Sequence, residues 1–251
     1  MDSFRTFQNN AILANPFTNR NPNFIKSLFF LRFTITKNTM KRHFSYESIM
    51  EMPKLQKTHF INSLGGFKSV SLLGTKNNLG QTNLAIFSSI FHIGANPPLI
   101  ALIFRPSPPE RDTLRNILET GFYTINHINE SICKQSHQTS ARYDNDISEF
   151  DVTGLQPEYK DNFLAPFVKE SNIQIGIEFK EKIDITINNT IIIIGQIIQA
   201  YVPEDCFGED GFVDLEKANT LTCSGLDSYH KTLKIDRLSY AKPNKEITSL
   251  S

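Results

Sequence analysis

The chain reads as a mainly β protein: a barrel of antiparallel strands with a few flanking helices. Three observations predict it. Apolar residues alternate with polar residues or Gly at a period of two, as in Ile173, Ile175, Ile177 and Phe179. Turn residues separate such runs, as at Asn77-Asn78-Leu79-Gly80 and Asn188-Asn189, where Asn and Gly tolerate a positive φ. The third observation is the lack of a βαβ rhythm or a glycine-rich dinucleotide fingerprint, which argues against a parallel sheet. With 251 residues and no internal repeat, one core is the simplest count.

The elements follow in order. Residues 69–75 form a first strand, and residues 82–90 return as its hairpin partner. Asn96-Pro97-Pro98 breaks the chain before an apolar strand over 99–104. Ser107-Pro108-Pro109-Glu110 then carries a helix start, with Ser107 as cap, Pro108 in the first helical position and Glu110 completing a capping box. Leu114, Ile117 and Leu118 make the apolar stripe of that helix, and Gly121 ends it in the left-handed cap position. A strand over 122–128 comes next, then a helix over 131–143 and an acidic loop with Asp144, Asp146, Glu149 and Asp151. Strands over 173–179, 182–187 and 190–201 follow, and a short helix is predicted over 215–219.

Composition narrows the function. The net charge of +0 leaves no basic footprint for nucleic acid. No apolar run approaches the roughly 18 residues that span a membrane as a helix. Cys133, Cys206 and Cys223 have neither zinc nor thioredoxin-like spacing, and three sparse cysteines suit a reducing compartment such as the cytoplasm. The six histidines form no metal-spaced set, so no metal site is predicted. Residues 1–39 are basic and acid-poor, with Asp2 the one acid. An organellar targeting segment has this character; an upstream extension ahead of a start at Met40 is the favoured reading, because a typical cleavage pattern is absent. The domain is therefore assigned to residues 40–251.

Several residues could carry chemistry. Asn83 and the Ser88-Ser89 pair are polar positions in an apolar strand that also holds Phe87. Small hydroxyls beside exposed N–H groups suit the edge of a flat heteroaromatic ring; the plain alternative is a serine pair ending a strand. No Gly-x-Ser-x-Gly elbow is present, so neither serine reads as a nucleophile. Arg105 precedes the capped helix, and Arg111 and Thr113 lie in its first turns. Guanidinium groups at a helix N-terminus make an anion site that a phosphomonoester fits, although Glu110 and Asp112 offer a solvated ion-pair surface as the alternative. His127 reads as a core histidine. His137, Thr139 and Ser140 form a small polar patch.

Taken together, these segments resemble the flavin reductase-like family of FMN-binding split barrels. The resemblance is carried by Gly80-Gln81-Thr82-Asn83-Leu84-Ala85-Ile86-Phe87-Ser88-Ser89, Asn96-Pro97-Pro98-Leu99-Ile100, Arg105-Pro106 and Arg111-Asp112-Thr113-Leu114. Thr120-Gly121-Phe122-Tyr123-Thr124-Ile125-Asn126-His127, Ser148-Glu149-Phe150-Asp151 and Gly225-Leu226-Asp227 with Tyr229 extend it over roughly residues 40–235. The resemblance implies a six-stranded antiparallel Greek-key split barrel and a homodimer with FMN near the subunit interface. It places Asn83, Phe87, Ser88 and Ser89 along the flavin, Arg105, Arg111 and Thr113 on its phosphate, and His137, Thr139 and Ser140 close to it. The implied activity is NAD(P)H-dependent flavin reduction, with hydride passing from NADH or NADPH to flavin N5, no protein nucleophile, and a monooxygenase or redox protein as recipient. An electron-transfer flavoprotein that keeps its FMN, and a binding barrel without redox chemistry, are the competing readings.

Overall fold

The computed structural model describes residues 40–106, 111–144 and 146–250. Two units are distinguished, residues 1–48 and 49–251. In the described part of the first, Ser45 Oγ accepts from Ser48 N–H at 3.2 Å, at the start of the short helix α1 (Tyr46–Met50), and Arg42 lies 5.0 Å from the centre of the Phe44 ring. Everything below concerns the second unit.

The second unit opens with an element that was not foreseen, helix α2 (Lys54–Leu64), which has no buried residue. Its signal is weak because no apolar stripe forms along it. Two strands then occupy what reads as one in the sequence: β1 (Lys68–Ser69) and β2 (Ser71–Lys76) belong to different sheets. The turn after β2 forms as predicted. Asn77 Oδ1 accepts from the N–H groups of Leu79 and Gln81, each at 3.0 Å, and Gly80 takes a φ of 86°. The return strand β3 (Thr82–Phe87) stops short of Ile90, which starts a further strand, β4 (Ile90–Ala95). A turn with a cis Asn96–Pro97 bond leads into β5 (Pro98–Phe104).

Helix α3 (Asp112–Thr120) follows. Ser107 to Glu110, and with them the expected capping box, lie outside the described residues; the described helix begins with Arg111 as its N-cap. Gly121 closes it at a φ of 75°, its N–H bonded to Ile117 O, as the sequence predicts. Leu114 and Ile117 are buried while Leu118 is exposed, so the buried stripe is narrower than expected. After β6 (Phe122–His127), the predicted long helix shrinks to a 3-10 turn at Glu130–Ile132 and α4 (Cys133–Gln138). The acidic stretch is not wholly loop: α5 (Glu149–Thr153) forms within it and buries Phe150. Its Glu149 carboxylate accepts from Leu84 N–H at 2.9 Å, tying α5 to β3.

Two short strands, β7 (Pro157–Glu158) and β8 (Phe167–Val168), precede the long pair β9 (Gln174–Ile185) and β10 (Thr190–Tyr201). The strands expected over 173–179 and 182–187 are thus one continuous strand, accommodated by irregular register near Ile194/Gly195. The predicted helix at 215–219 is a run of turns, and β11 (Thr222–Ser224) and β12 (Ser228–His230) complete the fold.

The principal sheet has seven antiparallel strands in the order β3-β2-β6-β9-β10-β5-β4, one more than the six expected, the addition being β4. β3 and β4 stand at opposite ends of this order, yet only Ser88 and Ser89 join them. Three Cα steps reach about 11 Å at full extension. The two edges must therefore curl to within that distance, and the sheet closes into a barrel with a seam at the two serines. Ser89 O accepts from Ile103 N–H at 3.0 Å, which extends the β4–β5 pairing to the second serine.

Two apolar clusters, the larger of four among the described residues, lie on opposite faces of the sheet. One gathers Leu73, Leu102, Tyr123, Ile125, Ile177 and Ile193; the other gathers Leu72, Leu84, Ile128, Phe150 and Val168. Leu72 and Leu73 are both fully buried and belong to different clusters, because successive side chains of a strand face opposite sides. Each such burial stabilises the fold by about 1.5–3 kcal/mol. The third sheet, β1-β11-β12, lies apart from the barrel ladder and joins the start of the unit to its end.

Candidate functional site

A cavity of about 520 Å³ opens at the seam. That volume lies within the roughly 300–1,000 Å³ common for small-molecule sites. Each wall comes from an element already described. Phe87, Ser88 and Ser89 arrive at the end of β3, and Ile103, Phe104, Arg105 and Pro106 at the end of β5. Arg111 and Leu114 come from the start of α3, His137 from α4, and Ser140 from just beyond it. Cys223, Leu226 and Tyr229 bring the β11–β12 hairpin to the remaining side.

The cavity is apolar along its flanks and charged at one end. Phe87 and Phe104 meet edge to face with ring centres 4.9 Å apart, which makes a stiff apolar flank. Arg105 and Arg111 supply the charge. Among the described residues neither guanidinium has a carboxylate partner, whereas the nearby Asp112 is already paired with Arg115. Arg105 NH2 donates to Asn62 Oδ1 on α2, at 3.0 Å. Ser88 and Ser89 follow the last paired residue of β3, and neither backbone N–H has an acceptor among the described residues. Two donors without an acceptor and two cations without a carboxylate among the described residues, gathered at one cavity, favour a ligand with acceptor atoms and negative charge.

On the opposite side, Tyr229 OH and His137 Nδ1 are 2.8 Å apart, with their rings edge to face. Burial pushes the Tyr229 phenol up to about 12, so it keeps its proton across the physiological range. Burial also pushes the Cys223 thiol up, against the opposing effects of Lys68 and a hydrogen bond with Ser88. A protonated thiol is a weak nucleophile, and Cys223 acts here as an apolar wall residue. Among the described residues no group of three His, Cys, Asp or Glu side chains is arranged to hold a metal, and no helix is long and apolar enough to cross a membrane.

Of the residues that the sequence singles out, Phe87, Ser88, Ser89, Arg105, Arg111, His137 and Ser140 come together around this cavity. Asn83, Thr113 and Thr139 do not line it. Asn83 is buried and its Nδ2 donates to Thr113 Oγ1 at 2.9 Å and to Thr75 Oγ1 at 3.3 Å. Asn116 Nδ2 donates to the same Thr75 Oγ1 at 3.2 Å, so these residues bind α3 to the barrel behind the cavity. Thr139 is buried, with its hydroxyl donating to Ser136 O at 2.8 Å. Cys223, Leu226 and Tyr229 were not foreseen as wall residues. Their signal was the Gly225-to-Tyr229 segment, which carries part of the resemblance but has no chemistry of its own in the sequence. Asn62 had no signal at all.

Comparison with known proteins agrees with this geometry. The flavin reductase like domain model matches residues 67–218, more than half of the chain. A solved split-barrel-domain protein from Shewanella frigidimarina NCIMB 400, itself assigned as a flavin reductase, is 50% identical; the match covers 80% of this chain and 100% of that one at a TM-score of 0.77. Nitrilotriacetate monooxygenase component B from Bacillus cereus shares the fold at a TM-score of 0.70, with 21% identity over 80% of this chain and 100% of its own. YwrF of Bacillus subtilis (strain 168) is 25% identical over 72% of this chain and 86% of its own length. The seam, the cavity and the domain match converge on one assignment: the chain belongs to the family of the flavin reductase like domain, with the split-barrel fold.

Proposed function

We propose that this protein binds FMN in the seam cavity and works as an NAD(P)H-dependent flavin reductase. The observation that carries the reading is that, among the described residues, two arginines without a carboxylate partner and two N–H donors without an acceptor surround one largely apolar cavity. The donor set fits FMN: a phosphomonoester needs cations, and a planar heteroaromatic ring edge needs N–H donors. FMN would supply the hydride-accepting ring, and the donor would be NADH or NADPH.

The chain's own residues have separable tasks in this reading. Arg105 and Arg111 hold the phosphate. The N–H groups of Ser88 and Ser89 donate to the ring edge, where fixed donors stabilise charge that develops on reduction. Phe87, Phe104 and Leu114 exclude water from the flanks. Tyr229, protonated and held by His137, presents a hydroxyl at the far wall. Hydride transfer requires no protein nucleophile. Release of reduced flavin to a partner monooxygenase, and assembly as a homodimer, belong to the same proposal.

The test is an absorbance spectrum of the purified chain after FMN addition and desalting, followed by NADH and NADPH without oxygen. A retained flavin spectrum that bleaches with a pyridine nucleotide supports the reductase. Bleaching with dithionite alone would replace it with an electron carrier fed by another protein. Failure to bind flavin at equilibrium would overturn the reading.

A further inference from the structure

The family model begins at residue 67, and helix α2 at Lys54–Leu64 lies before it. This helix nevertheless reaches the charged end of the cavity through one side chain. Asn62 Nδ2 donates to Thr58 O, one turn back along the helix, at 2.8 Å. A backbone carbonyl only accepts, so this bond settles which way the amide faces. Its Oδ1 therefore points outward, and it accepts from Arg105 NH2 at 3.0 Å.

Helix α2 is itself tied to the cavity wall. Lys68, just after it, donates through Nζ to Gly225 O at 2.8 Å. Gly225 has a φ of 62°, and a side chain there would come within 3.1 Å of Ser63 Oγ, so the helix end packs closely on this turn. The same turn joins β11 and β12, which carry Cys223 and Tyr229 into the cavity. Asn62 thus has a fixed mounting, and it holds one end of the exposed Arg105 side chain.

We propose that Asn62 is a positioning residue that orients Arg105 toward the cavity and so sets a preference for a phosphorylated flavin over its phosphate-free counterpart. The inference rests on the flavin-binding reading above. An arginine has five N–H donors in a rigid fork. Asn62 engages one end of the fork, and the remaining donors stay available to an anion beside Arg111. Because Asn62 is neutral, it orients Arg105 without cancelling its charge. Without it, Arg105 must lose side-chain freedom at the moment of binding.

The experiment is equilibrium titration of the full chain with FMN and, separately, with riboflavin, followed by flavin fluorescence. In Asn62→Leu the FMN dissociation constant should rise by about fivefold, in line with a hydrogen bond to a charged group that is partly exposed. Riboflavin binding should be unchanged. General damage to the fold would weaken both ligands. Asn62→Asp keeps the size of the side chain and sets a carboxylate against Arg105, so it should weaken FMN further than Asn62→Leu. In an Arg105→Ala background, Asn62→Leu should add nothing. Wild-type FMN binding with an unaltered FMN-to-riboflavin ratio in both Asn62 variants would overturn this inference alone. Absence of flavin binding by the unsubstituted chain would overturn the functional reading and this inference with it.

Discussion

Asn83 Nδ2 donates to Thr113 Oγ1 at 2.9 Å, and this bond joins strand β3 to the first turn of helix α3 behind the cavity. Both residues are buried, and both were expected at the ligand. Their role is to hold Arg111, two residues before Thr113, in register with the serines at the end of β3. Asn83→Ala should therefore destabilise the fold by about 1–3 kcal/mol, the range for a buried polar group that loses its partner. Urea unfolding of the variant measures this directly, and an unchanged midpoint would show that the network carries no weight.

Arg111 tests the charged end without touching α2. Its side chain makes no cap bond to α3, so Arg111→Ala leaves the helix its backbone pattern. FMN affinity should fall by about 10- to 100-fold, as for loss of a charge-assisted contact. Riboflavin affinity should hold. A parallel loss of both ligands would move Arg111 from the phosphate to the ring.

His127 predicts a pH dependence of stability. Burial lowers its pKa from 6.5 to about 4, and its Nδ1 lies 3.2 Å from Thr220 Oγ1. The folded state holds the neutral ring, so the unfolded chain takes up the proton first. The stabilisation is fully present above pH 6.5 and is lost as pH falls toward 4, by about 2–3 kcal/mol for this group. His127→Gln should flatten the slope of unfolding free energy between pH 6.5 and 4. An unaltered slope would assign the acid sensitivity to other groups.

Gly195 predicts a steric limit inside the barrel. A Cβ there would collide with Ile177 Cγ2 and Tyr123 OH, both on fully buried side chains. Gly195→Ala should cost about 1–3 kcal/mol by overpacking, read as a lowered melting temperature. In Tyr123→Phe, which removes one of the two colliding atoms, the added cost of Gly195→Ala should be smaller.

Much of the fold was legible in local pattern. The Asn77-to-Gly80 turn, the Gly121 cap and the β9–β10 hairpin at Asn188-Asn189 depend on backbone preferences that act within a few residues. Errors fell where the chain departs from local rules. Ile90 begins a strand instead of ending one because β4 finds its partner in β5, and neither periodicity nor turn chemistry records that pairing. Helix α2 escaped notice because it buries no side chain, and a helix without an apolar stripe has no periodic signal.

By itself, the sequence determined the β class, the order of the main strands and the residue types that could meet an anionic flat ligand. These follow from side-chain alternation and from chemistry that each residue carries wherever it sits. Only the tertiary structure decided which of them meet. Ser88 and Arg105 share a cavity because β3 and β4, at opposite ends of one sheet, are joined by two residues and must close. Asn83 and Thr113 bond each other behind the cavity, because a buried amide left without a partner costs about 1–3 kcal/mol. Tyr229 lines the same cavity beside His137, and Asn62 meets Arg105 there, each through a contact between residues far apart in the sequence. Such distant contacts depend on how the whole sheet curls, which no local stretch of sequence encodes.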